Sequence, residues 1–158
     1  MKGDAKVIEY LNATLKNELT AINQYFLHSK MLDNWGVSKL AKFEYDESID
    51  EMKHADKLAE RILFLDGLPN FQLLGRIKIG ETVEEILKAD LELEEEALPP
   101  LKDGIEHCEK IRDYVTRDLF AEILESEEDH VDTLEKQFDM IERMGIENYI
   151  QLQSESAE

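Results

Sequence analysis

Three features predict an all-α chain folded as a four-helix bundle with one long crossover and a short fifth C-terminal helix. Apolar residues recur at 3,4 spacing along four long stretches, which is the period of a helix with one buried face. The 7 glycines and 3 prolines cluster where that period breaks. Residues 66–81 connect the second stretch to the third. They are too many for a simple turn and enough to run back along the whole bundle.

The first helix is expected over 5–34, stopping before Trp35-Gly36. The second covers 38–65 and ends at Asp66-Gly67-Leu68-Pro69. After the crossover, the third runs over 82–109, with Thr82 as N-cap and Glu85 closing a capping box. Pro99 and Pro100 fall inside it and remove two backbone donors, so a kink or bulge is expected there. The apolar stripe resumes at Leu101 and Ile105, so the helix continues. The fourth helix spans 113–143 and stops at Gly145. The segment IENYIQL makes the fifth, and a polar tail closes a single domain over 1–158.

Composition narrows the function classes. The 158 residues carry 37 acidic against 18 basic side chains, a formal net charge of −19. That excludes nucleic acid and anionic membranes as partners and favours cations. A single cysteine, Cys108, supplies neither a disulfide framework nor a thiolate metal knuckle, and reads as a small core residue. No membrane span or export signal is evident, so the expected location is cytoplasmic.

The inward stripes carry the chemistry. On the first helix the line is Ile8, Leu11, Leu15, Glu18, Ile22 and Tyr25. On the third it is Leu87, Leu91, Glu94, Leu98, Leu101, Ile105 and Cys108. Each holds one glutamate where the core should be apolar. The second and fourth helices carry pairs, Glu51 with His54 and Glu127 with His130. Positions three apart share a helix face, so each pair aims at one axis. Counted from the turns between the paired helices, all six groups fall in one layer. The two halves match at a constant offset of 76 residues, 18 to 94, 51 to 127 and 54 to 130, which implies a pseudo-twofold axis.

Four buried carboxylates without partners are strongly disfavoured, and two divalent cations would neutralise them. Carboxylate oxygens with one imidazole per ion suit iron or manganese, and the lack of thiolates weakens a structural zinc. The pattern matches the known di-metal carboxylate bundle, one Glu from each of two helices and ExxH from each of the others. Histidine ligands must be neutral, so protons should compete with metal below about 6.5. A single ExxH reads chiefly as a solvated helix pair; two copies level with two core glutamates do not.

Met52 points about 130° away from Glu51 and His54 around the second helix. With Tyr45, Ile49, Ala59 and Leu63 it forms a second apolar stripe that faces a partner subunit. It reads as an interface side chain filling a gap, or as an axial thioether ligand to a shared haem.

The segments NELTAINQYFLHSKM, ESIDEMKHADKLAERILFLDGLPN, DLELE, DYVTRDL and ILESEEDHVDTLE resemble the bacterioferritin family, essentially end to end. The resemblance implies a ferritin-like fold and a ferroxidase centre of two irons per subunit. Glu18, Glu51 and His54 would surround one iron and Glu94, Glu127 and His130 the other, with Glu51 and Glu127 bridging. It implies that Met52 and its symmetry mate ligate a haem b between two subunits. It further implies a 24-subunit homo-oligomeric shell built of dimers that stores ferric mineral, uses O2 or H2O2 as oxidant for Fe(II), and is reduced by a bacterioferritin-associated ferredoxin. Some relatives place a histidine and an aspartate where this chain has Asp46 and Ser126, forming with Asp50 an extra iron site on the inner surface. That site is weakened here.

Several residues have two readings. Tyr25 serves redox or ligand support, or packs. Glu47, one turn from Glu51, relays iron inward, or is a solvated inner-surface charge. His28 and His107 read as surface residues. Asn148 and Gln151 would line a fourfold pore, as the resemblance implies. Two rival functions remain: a rubrerythrin-like di-iron peroxidase or oxygen scavenger, whose cysteine-rich module one cysteine cannot supply, and an acidic helical interaction protein, which leaves the core carboxylates unexplained.

Overall fold

The computed structural model describes residues 1–157. It contains α1 (Ala5–Asn34), α2 (Ser38–Phe64), α3 (Val83–Ile111), α4 (Tyr114–Met144) and α5 (Ile146–Gln153). No strand occurs among the described residues, and no helix there is long and apolar enough to cross a membrane. The sequence boundaries hold to within two residues.

The ends of the helices follow from local chemistry. Asp4 accepts from the backbone N–H groups of Lys6 and Val7, Thr82 from Glu85, and Asp113 from Thr116. Each such N-cap contributes about 1 kcal/mol. The α1–α2 turn needs a left-handed residue, supplied by Gly36 at φ 82°, and Val37 N–H closes it on Leu32 O at 2.9 Å. α3 runs unbroken through Pro99 and Pro100. The carbonyls these prolines leave unbonded belong to Glu95 and Glu96, both exposed, so water can satisfy them.

α1 pairs with α2 and α3 with α4, and the two hairpins meet mainly along α1 and α3. The core has two apolar ends. One gathers Leu11, Leu15, Leu58, Ile62, Leu101 and Phe120; the other gathers Leu32, Leu40, Ile86, Leu87, Leu134 and Tyr149. Between them lies the polar layer. The buried face is wider than a single stripe, because each long helix touches more than one neighbour. Ile8, Ile22, Leu91, Leu98 and Ile105 are only half-buried, whereas Val7, Ala21, Gln24, Ile86, Asp90, Leu93 and Ala97 are buried.

The crossover runs parallel to α1 and is fastened by that helix's polar side chains. Asn12 Nδ2 donates to Leu68 O at 3.2 Å and its Oδ1 accepts from Asn70 N–H at 2.8 Å. Gly75 N–H donates to Thr20 Oγ1, Lys78 N–H to Gln24 Oε1 and Gly80 N–H to His28 Nε2, at 2.8, 2.9 and 3.0 Å. From Asn12 to His28 this covers about 24 Å of helix. α5 folds back over the far end, where Tyr149 Oη donates to Gln137 Oε1 at 2.7 Å.

Candidate metal centre

Four helices deliver the six residues to one place. Glu18, Glu51, His54 and Glu127 form one nest; Glu51, Glu94, Glu127 and His130 form a second. Within each, the donor atoms lie within 4.8 Å of one another. Glu51 and Glu127 belong to both, which is the position of a bridge. His54 Nδ1 is 3.3 Å from Glu127 Oε1 and 3.6 Å from Glu18 Oε2. His130 Nδ1 is 3.1 Å from Glu51 Oε1 and 3.5 Å from Glu94 Oε1.

One buried polar atom on each of the six has no hydrogen-bond partner: Glu18 Oε2, Glu51 Oε1, His54 Nδ1, Glu94 Oε2, Glu127 Oε1 and His130 Nδ1. An orphaned buried polar group costs about 1–3 kcal/mol and a charged one more. Six converging in one layer describe a ligand shell.

The metal-free shell compensates with protons. Burial, then the charges of Glu51 and Glu127, push the Glu18 carboxyl well above its usual range. Burial and the Glu127 charge raise Glu94 to about 8. Burial and Glu94 also press Glu51 upward, but the neighbouring Glu18, His130 and His54 outweigh them and hold it low. Burial alone would depress both imidazoles. Instead Glu127, Glu18 and Glu51 lift His54 to about 12, and Glu127, Glu47, Glu51 and Glu94 raise His130 strongly. Groups that bind protons this readily are the ones that must release them to a cation.

Two further residues touch this group from behind. Tyr25 is fully buried, and its hydroxyl donates to Glu94 Oε1 at 2.6 Å. Glu47 is not a solvated charge: it is mostly buried, and its Oε2 lies 2.7 Å from His130 Nε2. A carboxylate on the far nitrogen orients an imidazole and raises its basicity as a ligand. Asp50 joins Glu47 and His130 in a further group of donors. Asp46 instead pairs with Lys42 at 2.6 Å.

Met52 lies on the opposite side of α2, 53% exposed. It borders an apolar groove of about 380 Å³ with Leu19, Ile22, Ala55, Ala59 and Phe71, the last contributed by the crossover. Tyr45 and Leu63 are exposed on the same helix. Its thioether stands at the mouth of that groove, where Asp56 also reaches the lining.

Among the remaining candidates, His28 overturns its expectation. It has no exposed surface and faces Asp90 and Glu44 in the core. It lies one turn beyond Tyr25 on the inward face of α1, but its polar partners come from other helices, so spacing alone did not reveal them. Asp90 and Glu44 went unnoticed for the same reason. His107 is partly covered, 5.8 Å from the Tyr10 ring and 3.1 Å from Asp4. Cys108 is buried, and burial pushes its thiol up to about 11. Asn148 and Gln151 are exposed on α5.

Residues 8–144 match the family model of the ferritin-like domain. The chain is 49% identical to the bacterioferritin of Brucella melitensis over 158 residues, covering 100% of this chain and 98% of that one. It is 50% identical to the bacterioferritin of Streptomyces coelicolor over 95% of this chain and 90% of that one. Against the bacterioferritin of Mycolicibacterium paratuberculosis the identity is 49%, over 94% of both chains.

Proposed function

The chain belongs to the bacterioferritin family, and on that premise we propose that it stores iron and acts as a ferroxidase, with Fe(II) as the substrate of the six-residue centre. The observation that carries this reading is the set of six orphaned donor atoms, four carboxylate oxygens and two imidazole nitrogens, aimed into one buried layer. That oxygen-rich set suits iron, and the thiol of Cys108 stands outside it.

Glu18 and His54 hold one ion, Glu94 and His130 the other, and Glu51 and Glu127 bridge the pair. Four carboxylates match two Fe(II) in charge. The net charge of −19 raises the local concentration of cations around the protein. As iron enters, His54 and His130 release the protons that occupy Nδ1, and Glu18 and Glu94 release theirs. Glu47 keeps hold of His130 through Nε2, and Tyr25 keeps Glu94 Oε1 fixed. The two Fe(II) give up one electron each, and O2 or H2O2 accepts the pair. Glu47 and Asp50 then offer carboxylates on the way to the inner surface.

The whole chain, 1–158, works as one unit in a 24-subunit cytoplasmic shell built of dimers around a ferric mineral. Asn148 and Gln151 line its fourfold pore. Met52 and the same residue of a second copy would hold a haem b between them. A haem held there would supply one-electron chemistry for reductive release, with a bacterioferritin-associated ferredoxin as the electron donor. Anaerobic titration tests the centre: Fe(II) should saturate at two ions per subunit and oxidise rapidly on admitting air. Saturation at one ion, or slow oxidation of both, would overturn the assignment.

A further inference from the structure

His28, Glu44 and Asp90, from α1, α2 and α3, are entirely buried and lie outside the six-residue centre. Their donor atoms approach within 4.8 Å, which by distance alone describes a third metal site. The hydrogen bonds describe something else. Gly80 N–H donates to His28 Nε2 at 3.0 Å. A ring nitrogen that accepts carries no proton, so the proton of neutral His28 sits on Nδ1, 2.9 Å from Asp90 Oδ1. The same oxygen accepts from Gln24 Nε2 at 3.0 Å. Asp90 is thus an acceptor twice over, and His28 has no lone pair left for a cation.

Both oxygens of Glu44 and Oδ2 of Asp90 have no partner. Among the described residues no lysine or arginine pairs with either carboxyl. Two adjacent carboxylates cannot both be ionised in so dry a place, and one proton resolves all the unpaired atoms but one. We infer that Glu44 is held as a neutral carboxylic acid donating its O–H to Asp90, so that one buried anion, receiving Glu44, His28 and Gln24, locks the crossover onto the bundle. Burial and then Asp90 act in that direction, raising the Glu44 carboxyl well above its usual range. Glu47 and Glu94 push the same way, while the neutral phenols of Tyr25 and Tyr149 and the ring of His28, 4.0 Å away, add no negative charge.

The cluster belongs to one half of the bundle alone. At the 76-residue offset, His28 corresponds to Gly104, Glu44 to Phe120 and Asp90 to Thr14. A side-chain carbon on Gly104 would come within 2.8 Å of Phe120. The polar trio therefore repeats no part of the metal centre. It stands where the crossover ends and its last N–H groups, on Lys78 and Gly80, need acceptors. A raised carboxyl value carries a sign. The contribution of neutral Glu44 is complete below the ordinary carboxylate range and is lost as pH rises through its folded value.

The test uses the assembled protein saturated with Zn(II), which strips protons from the six-residue centre. At neutral pH the infrared spectrum should show the carbonyl stretch of a protonated acid, shifted in D2O and missing from Glu44→Gln. Both proteins should retain the same number of tightly held Zn(II) per subunit, because the substituted amide donates to Asp90 as the acid does. In Asp90→Ala, amide exchange in segment 75–82 should quicken by about tenfold or more. An absent band in the wild type, a band that survives in Glu44→Gln, or one more Zn(II) in the wild type than in Glu44→Gln would overturn the proton. Unchanged exchange in Asp90→Ala would overturn the lock. If Glu44→Gln does not assemble, the wild-type infrared band decides alone, its absence being fatal.

Discussion

The hydroxyl of Tyr25 donates to Oε1 of Glu94 at 2.6 Å and leaves Oε2 of the same carboxylate without a partner. One oxygen is anchored and the other is free for an ion. Burial, then Glu94 itself, raises the phenol well above its usual range, so it keeps the proton it donates to Glu94. The relationship has no counterpart in the other half. At the 76-residue offset Tyr25 corresponds to Leu101 and Glu47 to Ile123, both buried and apolar. The two nests share residue types, but the Tyr25 and Glu47 contacts behind Glu94 and His130 are not repeated behind Glu18 and His54.

Tyr25→Phe keeps the ring and removes that donor. The initial rate of Fe(II) oxidation should fall by about tenfold, the usual consequence of losing a hydrogen bond behind a metal ligand. Stability should change by only about 1 kcal/mol, because the ring still fills its place. Stopped-flow oxidation and thermal unfolding of the two proteins check this. An unchanged rate would reduce Tyr25 to packing.

Removing a ligand should separate metal binding from folding. Glu18→Gln preserves volume but takes an acid out of a crowded carboxylate layer, so the metal-free bundle should be at least as stable as wild type. The rise in Tm on adding Zn(II) should shrink, and fast iron oxidation should disappear; His130→Ala should lose oxidation likewise. Wild-type oxidation in either variant, with the bundle folded, would remove that residue from the centre.

Acidity acts over a wider range than the ordinary histidine value suggests. The folded values of His54, about 12, and of His130 are raised. Their charged forms therefore stabilise the metal-free bundle fully below about 6.5, and that stabilisation is lost only as pH climbs through the folded values. Metal needs both rings neutral, so binding at pH 7 must expel a proton from each, with Glu94, near 8, adding to the release. Affinity should keep rising with pH through neutrality instead of levelling above 6.5. Calorimetry of Zn(II) binding in buffers of different ionisation enthalpy counts the protons: about two or more per subunit are expected, and none would contradict the ligand assignment.

Much of this was legible in the sequence, for a physical reason. Glu18 and Glu94 interrupt apolar stripes, and Glu51/His54 and Glu127/His130 repeat at one offset, so both the axis and the depth of the layer follow from helical geometry. Helix ends followed from Gly36, Thr82 and Gly145. What stayed hidden depends on contacts between elements. Glu47 reads as solvated until His130 of α4 is set beside it. His28, Glu44 and Asp90 sit on three different helices at no shared spacing, and the acceptors that hold the crossover are ordinary polar residues of α1.

Met52 offers the sharpest separation of two metal functions on one helix. It points away from Glu51 and His54, is half-exposed, and borders an apolar groove, whereas Glu51 is buried and His54 mostly buried on the opposite face. Leucine has similar volume and apolar character but no sulfur, so Met52→Leu should keep the groove and the subunit contact. The variant is expected to assemble, to lack haem, and to oxidise Fe(II) at the wild-type initial rate. Stored ferric iron should then leave slowly when electrons must arrive through the haem, but normally with a small reductant that reaches the mineral directly. Visible spectra, oxidation rates and release rates measured side by side decide the matter. Full haem content in Met52→Leu would sink the axial assignment, and loss of oxidation in an intact shell would show that the two sites are linked.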